Sequence, residues 1–218
     1  MRILIPFLSV AMLFAGCNSE DGRVCPKTWN LERAQISAYA SADSGQLHLE
    51  VWNPVTTNAI ELSQEYLEGD FEVSVKLLGM ESDSVLNPQV RLEVYLLDQA
   101  DERISGVAVQ PDIFYCYVGG PDPSNSDNRL VHTHQGDLRV SRVGELVSSY
   151  ANFGGIELTK TDTVSDANMG VRIVFGSTNM ANGSVRASLT DFRAWQDWPN
   201  ANIQGPPVNL DYFNCESW

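Results

Sequence analysis

Glu68-Gly69-Asp70-Phe71-Glu72-Val73-Ser74-Val75-Lys76-Leu77 is the stretch that decides the fold. After the glycine, apolar Phe71, Val73, Val75 and Leu77 alternate with polar Glu72, Ser74 and Lys76. A period of two sends alternate side chains to opposite faces of an extended strand, one dry and one wet. The same rule reads outward in both directions. Leu47, Leu49 and Val51 alternate with His48, Glu50 and Trp52, and Val90, Leu92, Val94 and Leu96 alternate with Arg91, Glu93 and Tyr95. Further strands are expected at 104–109, 113–118, 137–142, 145–150, 156–160, 170–176 and 184–195, with Ser44-Gly45, Asn87-Pro88 and Gly119-Gly120-Pro121 as turns. No segment carries a helical stripe. About ten short strands, each with one apolar face, predict an all-β chain folded as a two-sheet antiparallel sandwich.

The 218 residues hold 14 Lys+Arg against 28 Asp+Glu, a net charge of −14. A field of that sign repels phosphate backbones and anionic headgroups, which argues against nucleic-acid binding and charge-driven membrane adhesion. Membrane attachment has to come from elsewhere, and the N-terminus offers it. Arg2 precedes the apolar run Ile3 to Phe14, and Leu13-Phe14-Ala15-Gly16-Cys17 ends in two small residues and a cysteine. This resembles the lipobox of a bacterial lipoprotein signal, with Phe14 where Leu is usual. The resemblance implies removal of 1–16 and acylation (palmitate among the chains) of Cys17, which anchors the mature protein in a leaflet of the cell envelope. An ordinary secretory signal with a later cut is the alternative. Asn18 is not the Asp associated with inner-membrane retention, so the outer membrane is favoured. Residues 17–32 are expected to form a tether and 33–218 a single domain, whose Pro- and aromatic-rich tail from about 196 wraps the sandwich.

Of four cysteines, Cys25, Cys116 and Cys215 remain once Cys17 is acylated. Cys25 and Cys215 lie near the two ends of the folded region. Chain ends often meet at a domain surface, so these two are expected to form a disulfide. Cys116 sits inside Phe114-Tyr115-Cys116-Tyr117-Val118 and is expected to be a small buried hydrophobe.

Three pieces in order carry a wider resemblance. They are Glu68 to Val75; the pattern Leu138 to Tyr150, a strand ending in Arg142 that turns at Gly144 and returns to an aromatic; and Gly170 to Gly176 followed by Ser188 to Arg193. Together they resemble the concanavalin A-like lectin/glucanase superfamily, in its LamG-like branch. The resemblance implies a jelly-roll sandwich with a concave sheet that holds sugar in many relatives.

Glucanases of that superfamily set paired carboxylates on one strand, because hydrolysis needs an acid and a nucleophile or base flanking the scissile bond. This chain has no such string. Glu61, Glu65, Glu68 and Glu72 stand three and four apart, and only Glu72 falls in a clear strand. A glycoside hydrolase is therefore the least favoured reading. Aromatic faces and strand polars suit glycan binding instead: Trp52, Tyr95, Tyr115, Tyr117, Trp195 and Trp198 for stacking, His48, Glu50, Arg91 and Glu93 for hydrogen bonds, with Trp52, His48, Glu50, Tyr95 and Trp195 as the first choices. A structural or protein-interaction role in the envelope is the rival. Two metal patterns are weaker. His132 and His134, two apart, would share a strand face as zinc ligands. Asp122, Asn125, Asp127 and Asn128 offer oxygens to calcium, without the spacing of a calcium loop.

Overall fold

The computed structural model describes residues 30–33, 38–43, 46–53, 59–63, 67–83, 89–120, 123–165, 168–178, 183–196 and 209–211. Strands are numbered in chain order. The first sheet runs, in spatial order, β1 (Asn30–Arg33), β4 (Ile60–Ser63), β14 (Asn168–Thr178), β7 (Gln89–Leu97), β8 (Arg103–Gln110), β9 (Ile113–Val118) and β10 (Ser126–Leu130), with β5 (Leu67–Glu68) pairing β14. The second runs β13 (Ile156–Thr163), β12 (Leu146–Phe153), β11 (Gly136–Val143), β6 (Phe71–Ser82), β15 (Ser184–Gln196), β3 (Gln46–Trp52) and β2 (Ala38–Asp43), with β16 (Asn209–Asp211) pairing β15. All pairings are antiparallel.

The alternation read from the sequence is the packing of the sandwich. Leu47, Leu49 and Val51 of β3, Phe71 to Leu77 at odd positions of β6, and Leu138 and Val140 of β11 meet Val90 to Leu96 at even positions of β7 and Val107 and Val109 of β8 in one buried cluster. Burying each such side chain contributes about 1.5–3 kcal/mol before chain entropy is set against it. Their polar alternates therefore line two outer faces, one per sheet. The chain is an all-β, two-sheet antiparallel jelly-roll sandwich.

Three local features hold the ends of these strands in place. Gly144, with φ of +61°, turns the β11–β12 hairpin, and its N–H donates to Asp70 Oδ1 at 2.7 Å. The carboxylate of the Gly-Asp pair thus caps the hairpin that follows it in the resemblance. In β15, Asp191 and Phe192 together oppose Val75, a bulge that turns Phe192 into the core and leaves Asp191 outside with φ of +51°. His134 places Nδ1 2.6 Å from the Met80 carbonyl oxygen and Nε2 2.8 Å from that of Pro111. Met80 belongs to the second sheet and Pro111 to the β8–β9 turn of the first, so the ring joins the two.

Some elements escape a search for alternation. β10 reads Ser-Asp-Asn-Arg-Leu and β4 only Ile-Glu-Leu-Ser, an edge strand without an apolar face and a strand too short to show a period. Of the tail from 196, β16 lies in the described part, in antiparallel pairing with β15 beyond the bulge. Cys17, Cys25, Trp198 and Cys215 lie outside the described residues, and the expected boundary between tether and domain, at 32/33, falls within β1, whose residues pair with β4. Cys116 is buried and free, its thiol 3.6 Å from the Leu158 carbonyl oxygen of the facing sheet, and burial pushes that thiol up to about 12. Among the described residues no helix is long and apolar enough to cross a membrane.

Candidate functional site

Register arranges the outer face of the first sheet in rows. Arg172 lies opposite Tyr95, Tyr95 opposite Gly106, Gly106 opposite Tyr117, and Tyr117 opposite Ser126. The adjoining row is Val174, Glu93, Ala108, Tyr115 and Asn128. Small residues on β8 leave a trough between taller neighbours. Tyr117 uses it, reclining across Gly106 to reach the next strand but one. A Cβ built on Gly106 would stand 2.5 Å from the Tyr117 hydroxyl oxygen and 2.7 Å from Tyr95 Cβ, so glycine is required by close approach.

The end point of that reach is Glu93, a carboxylate only 1% exposed. It accepts the Tyr117 O–H at 2.5 Å on Oε1, while Arg91 Nη2 at 2.9 Å and Arg103 Nη1 at 3.1 Å meet Oε2. A buried carboxylate survives only when paired and hydrogen-bonded in this way. Burial, reinforced by the Glu93 charge, holds the Tyr117 hydroxyl well above the usual phenol range, so it stays protonated and donates. Burial also raises Tyr95, whose ring lies 4.7 Å beneath the Arg103 guanidinium. Burial works against the Arg103 charge, and Glu93 with the two tyrosines outweighs it, holding that guanidinium above its usual range.

Beside this network opens a cavity of about 240 Å³. Its wall is Tyr115 and Tyr117, its floor Ala108, and its polar rim Arg91, Gln110, Ser126 and Asn128. Arg91 Nε is buried there without a hydrogen-bond partner. The volume lies below the roughly 300–1,000 Å³ of drug-sized sites, which suits about one sugar ring. Flat aromatic walls, two amides and hydroxyls are the groups that stack on and bond to a saccharide. None of the chain's three histidines stands on the strands of this sheet.

The residues singled out by sequence do not share one face. His48, Glu50 and Trp52 project from β3 on the outer face of the second sheet, whereas Tyr95 lies on the outer face of the first, buried under Arg103. His48 Nδ1 pairs with Ser188 Oγ at 3.1 Å, Glu50 holds Arg186 at 2.6 Å, and Trp52 is 39% exposed. Trp195 falls in register with Glu72 in the middle of the second sheet. There a shallow basin of about 370 Å³ is lined by Glu72, Lys76, Asp137, Arg139, Tyr150 and Arg193. Within it Arg139 stands 3.3 Å from Glu72 and 4.4 Å over the Tyr150 ring.

The metal patterns come apart. His132 and His134 sit in the connection from β10 to β11 rather than on a strand, and two carbonyls occupy both ring nitrogens of His134. Asn125 donates to the Gly119 carbonyl at 2.9 Å, Asp127 lies on β10 with Lys160 at 3.7 Å, and Asp122 is outside the described residues. Among the described residues no three of His, Cys, Asp and Glu gather around one point. Sequence reasoning passed over Gln110 and Ser126 and offered Asn128 only as a calcium oxygen, so the signals for the first residue and for the pair on β10 differ. The first continues the Gly106-Ala108 alternation one residue past the apolar run, a signal that was readable; the other two lie on a strand with no pattern.

No family model matches this sequence, and no curated protein does. Solved structures match its fold. A functionally unknown protein from Saccharomyces cerevisiae superposes with a TM-score of 0.51 at 10% identity, over 77% of this chain and 95% of that one. An alginate lyase, a member of polysaccharide lyase family 7, superposes with a TM-score of 0.50 at 9% identity, over 81% of this chain and 85% of that one. The likeness is one of fold, the concanavalin A-like jelly roll.

Proposed function

We propose that this chain is an envelope lipoprotein, held by an acylated Cys17 at the outer membrane, whose sandwich binds a glycan without catalysis. The observation that carries the reading is the cavity between Tyr115, Tyr117, Gln110 and Asn128, an aromatic and amide-lined space of about 240 Å³. Its ionisable groups are tied up: Tyr117 is held protonated on Glu93, and Glu93 is enclosed by two guanidinium groups. A base that takes a proton from a sugar ring needs a free lone pair at working pH. This arrangement supports holding a sugar rather than cleaving one.

The test is a glycan array probed with the chain from Asn18 onward, followed by titration of any hit. The reading expects saturable binding that Tyr115→Ala and Asn128→Ala weaken at least about tenfold, while Trp52→Ala on the opposite sheet leaves it unchanged. Binding abolished by Trp52→Ala alone would move the site to the second sheet. For the anchor, Cys17→Ser should abolish palmitate incorporation and shift the protein from membrane to soluble fractions. A protein-interaction role draws on a different observation, the exposure of Leu130 (68%), Leu146 (48%) and Ile156 (41%) at sheet edges and hairpins. A partner captured through those residues, with a blank array, would favour it.

A further inference from the structure

The shape of the cavity bears on which part of a glycan chain can enter it, and this inference rests on the glycan-binding reading above. Between β7 and β9 the small outward residues of β8, Gly106 and Ala108, form the floor of a trough that runs on to Gln110. At the usual rise of a strand that floor is about 13 Å long. Left open, it would let a sugar chain lie along β8 with further units on both sides of any one bound.

Half of the trough is filled. Tyr117 comes over from β9, its hydroxyl oxygen 2.5 Å from where a Gly106 Cβ would stand, and its O–H donates to Glu93 of β7. Arg103, at the start of β8, holds the same carboxylate at 3.1 Å and lies over the Tyr95 ring. Tyr95, Leu97, Tyr117 and Val174 make a buried cluster of their own on this outer face, so beyond Tyr117 the face is occupied by side chains packed on one another. Across the trough, the Arg91–Glu93 ion pair at 2.9 Å stands on the β7 side, and Ser126 and Asn128 stand on the β10 side. What remains lies over Ala108 and beside Gln110, the cavity of about 240 Å³ with room for about one ring.

A unit inside an unbranched chain continues in two directions, and here one of them runs into Tyr117. We infer that the cavity is a blind pocket for the terminal unit of a glycan, a chain end or a one-unit branch, which enters from the Gln110 side. Tyr117 is the specificity-determining residue, the stop that Glu93 holds in place and that Gly106 makes room for.

The experiment titrates the chain from Asn18 onward with linear polymers, namely amylose, β-1,3-glucan, mannan, galactan and polygalacturonate. Each is used intact and after partial acid hydrolysis, with concentration counted as mass of sugar. For whichever polymer binds, cutting the chains about tenfold shorter should lower the half-saturating mass about tenfold, because ends and not units are counted. Tyr117→Ala removes the stop, so its binding, though weaker, should depend on mass alone; Tyr117→Phe keeps the ring and should keep the dependence on ends. Should Tyr117→Ala fail to fold, the wild-type length series still decides between ends and inner units. Equal half-saturating mass for intact and cut chains would overturn the terminal-unit inference and leave the glycan reading standing. Dependence on ends that persists in folded Tyr117→Ala would overturn the role of Tyr117 as the stop. No binding of any polymer, intact or cut, would overturn the glycan reading itself.

Discussion

The Tyr117 hydroxyl meets Glu93 Oε1 at 2.5 Å by lying across Gly106, which occupies the strand between them. One bond thus spans three strands, β7, β8 and β9, and shapes the wall of the cavity. Gly106→Ala puts a methyl where the Tyr117 ring now rests, and both the ring and Tyr95 Cβ obstruct it. Overpacking of this kind costs about 1–3 kcal/mol. Urea denaturation of G106A should show that loss, and the displaced Tyr117 should weaken glycan binding with it. Unchanged stability would mean that the ring has other room.

Removing the carboxylate tests the same network from its centre. Glu93→Ala leaves two guanidinium groups facing a hole, and breaking a buried pair in this way costs about 3–5 kcal/mol. Arg91 and Arg103 each keep about a quarter of their side-chain surface in water, so the lower end is expected. Tyr117→Phe removes only one donor from that carboxylate and should cost less, about 1–3 kcal/mol. Denaturation midpoints that rank the two the other way round would contradict the picture of Glu93 as the hub.

The Cys116 thiol makes a pH prediction. Burial raises it from an ordinary value of 9.0 to about 12, so above pH 9 the unfolded chain releases this proton and the folded chain keeps it. Folding stability contributed by the neutral thiol is therefore complete below pH 9 and falls as pH rises towards 12, by at most about 1.4 kcal/mol per pH unit. Cys116→Val should flatten that part of the stability profile measured by denaturant melts from pH 8 to 11. The native thiol should also resist alkylation at pH 8 and react once the chain is unfolded. Rapid native alkylation would show that the strand opens.

His134 accepts a similar test. Its ring holds a carbonyl on each sheet, at 2.6 and 2.8 Å. His134→Ala should cost about 1–2 kcal/mol, with zinc leaving the melting temperature of the wild-type chain unmoved. A zinc-dependent rise in melting temperature would restore the metal reading of His132 and His134.

The legibility of this chain follows its chemistry. β3 and β9 begin and end where the alternation of 46–52 and the apolar run of 113–118 place them, because each buries one dense face against the other sheet. β10 was invisible for the opposite reason: at the edge of a sheet it buries little, and its residues are chosen for water and turns. That strand supplies Ser126 and Asn128 to the cavity, so half of its rim was hidden with it. Tyr95 shows a second limit. Alternation sorts residues into inside and outside relative to their own sheet, but cannot tell which outer face a residue shares with another strand. Trp52 and Tyr95 both read as outward aromatics, and the sandwich sets them on opposite sides. The Gly69-Asp70 pair was recognisable as a motif, whereas its role emerged only when Gly144 was found on its carboxylate.

The most direct test of the account is the affinity of the chain from Asn18 onward for its best glycan-array hit, measured beside Asn128→Ala and Trp52→Ala. The account predicts an oligosaccharide whose binding falls at least about tenfold in the first variant and is untouched in the second. Binding that survives Asn128→Ala, or an array blank throughout, would contradict it.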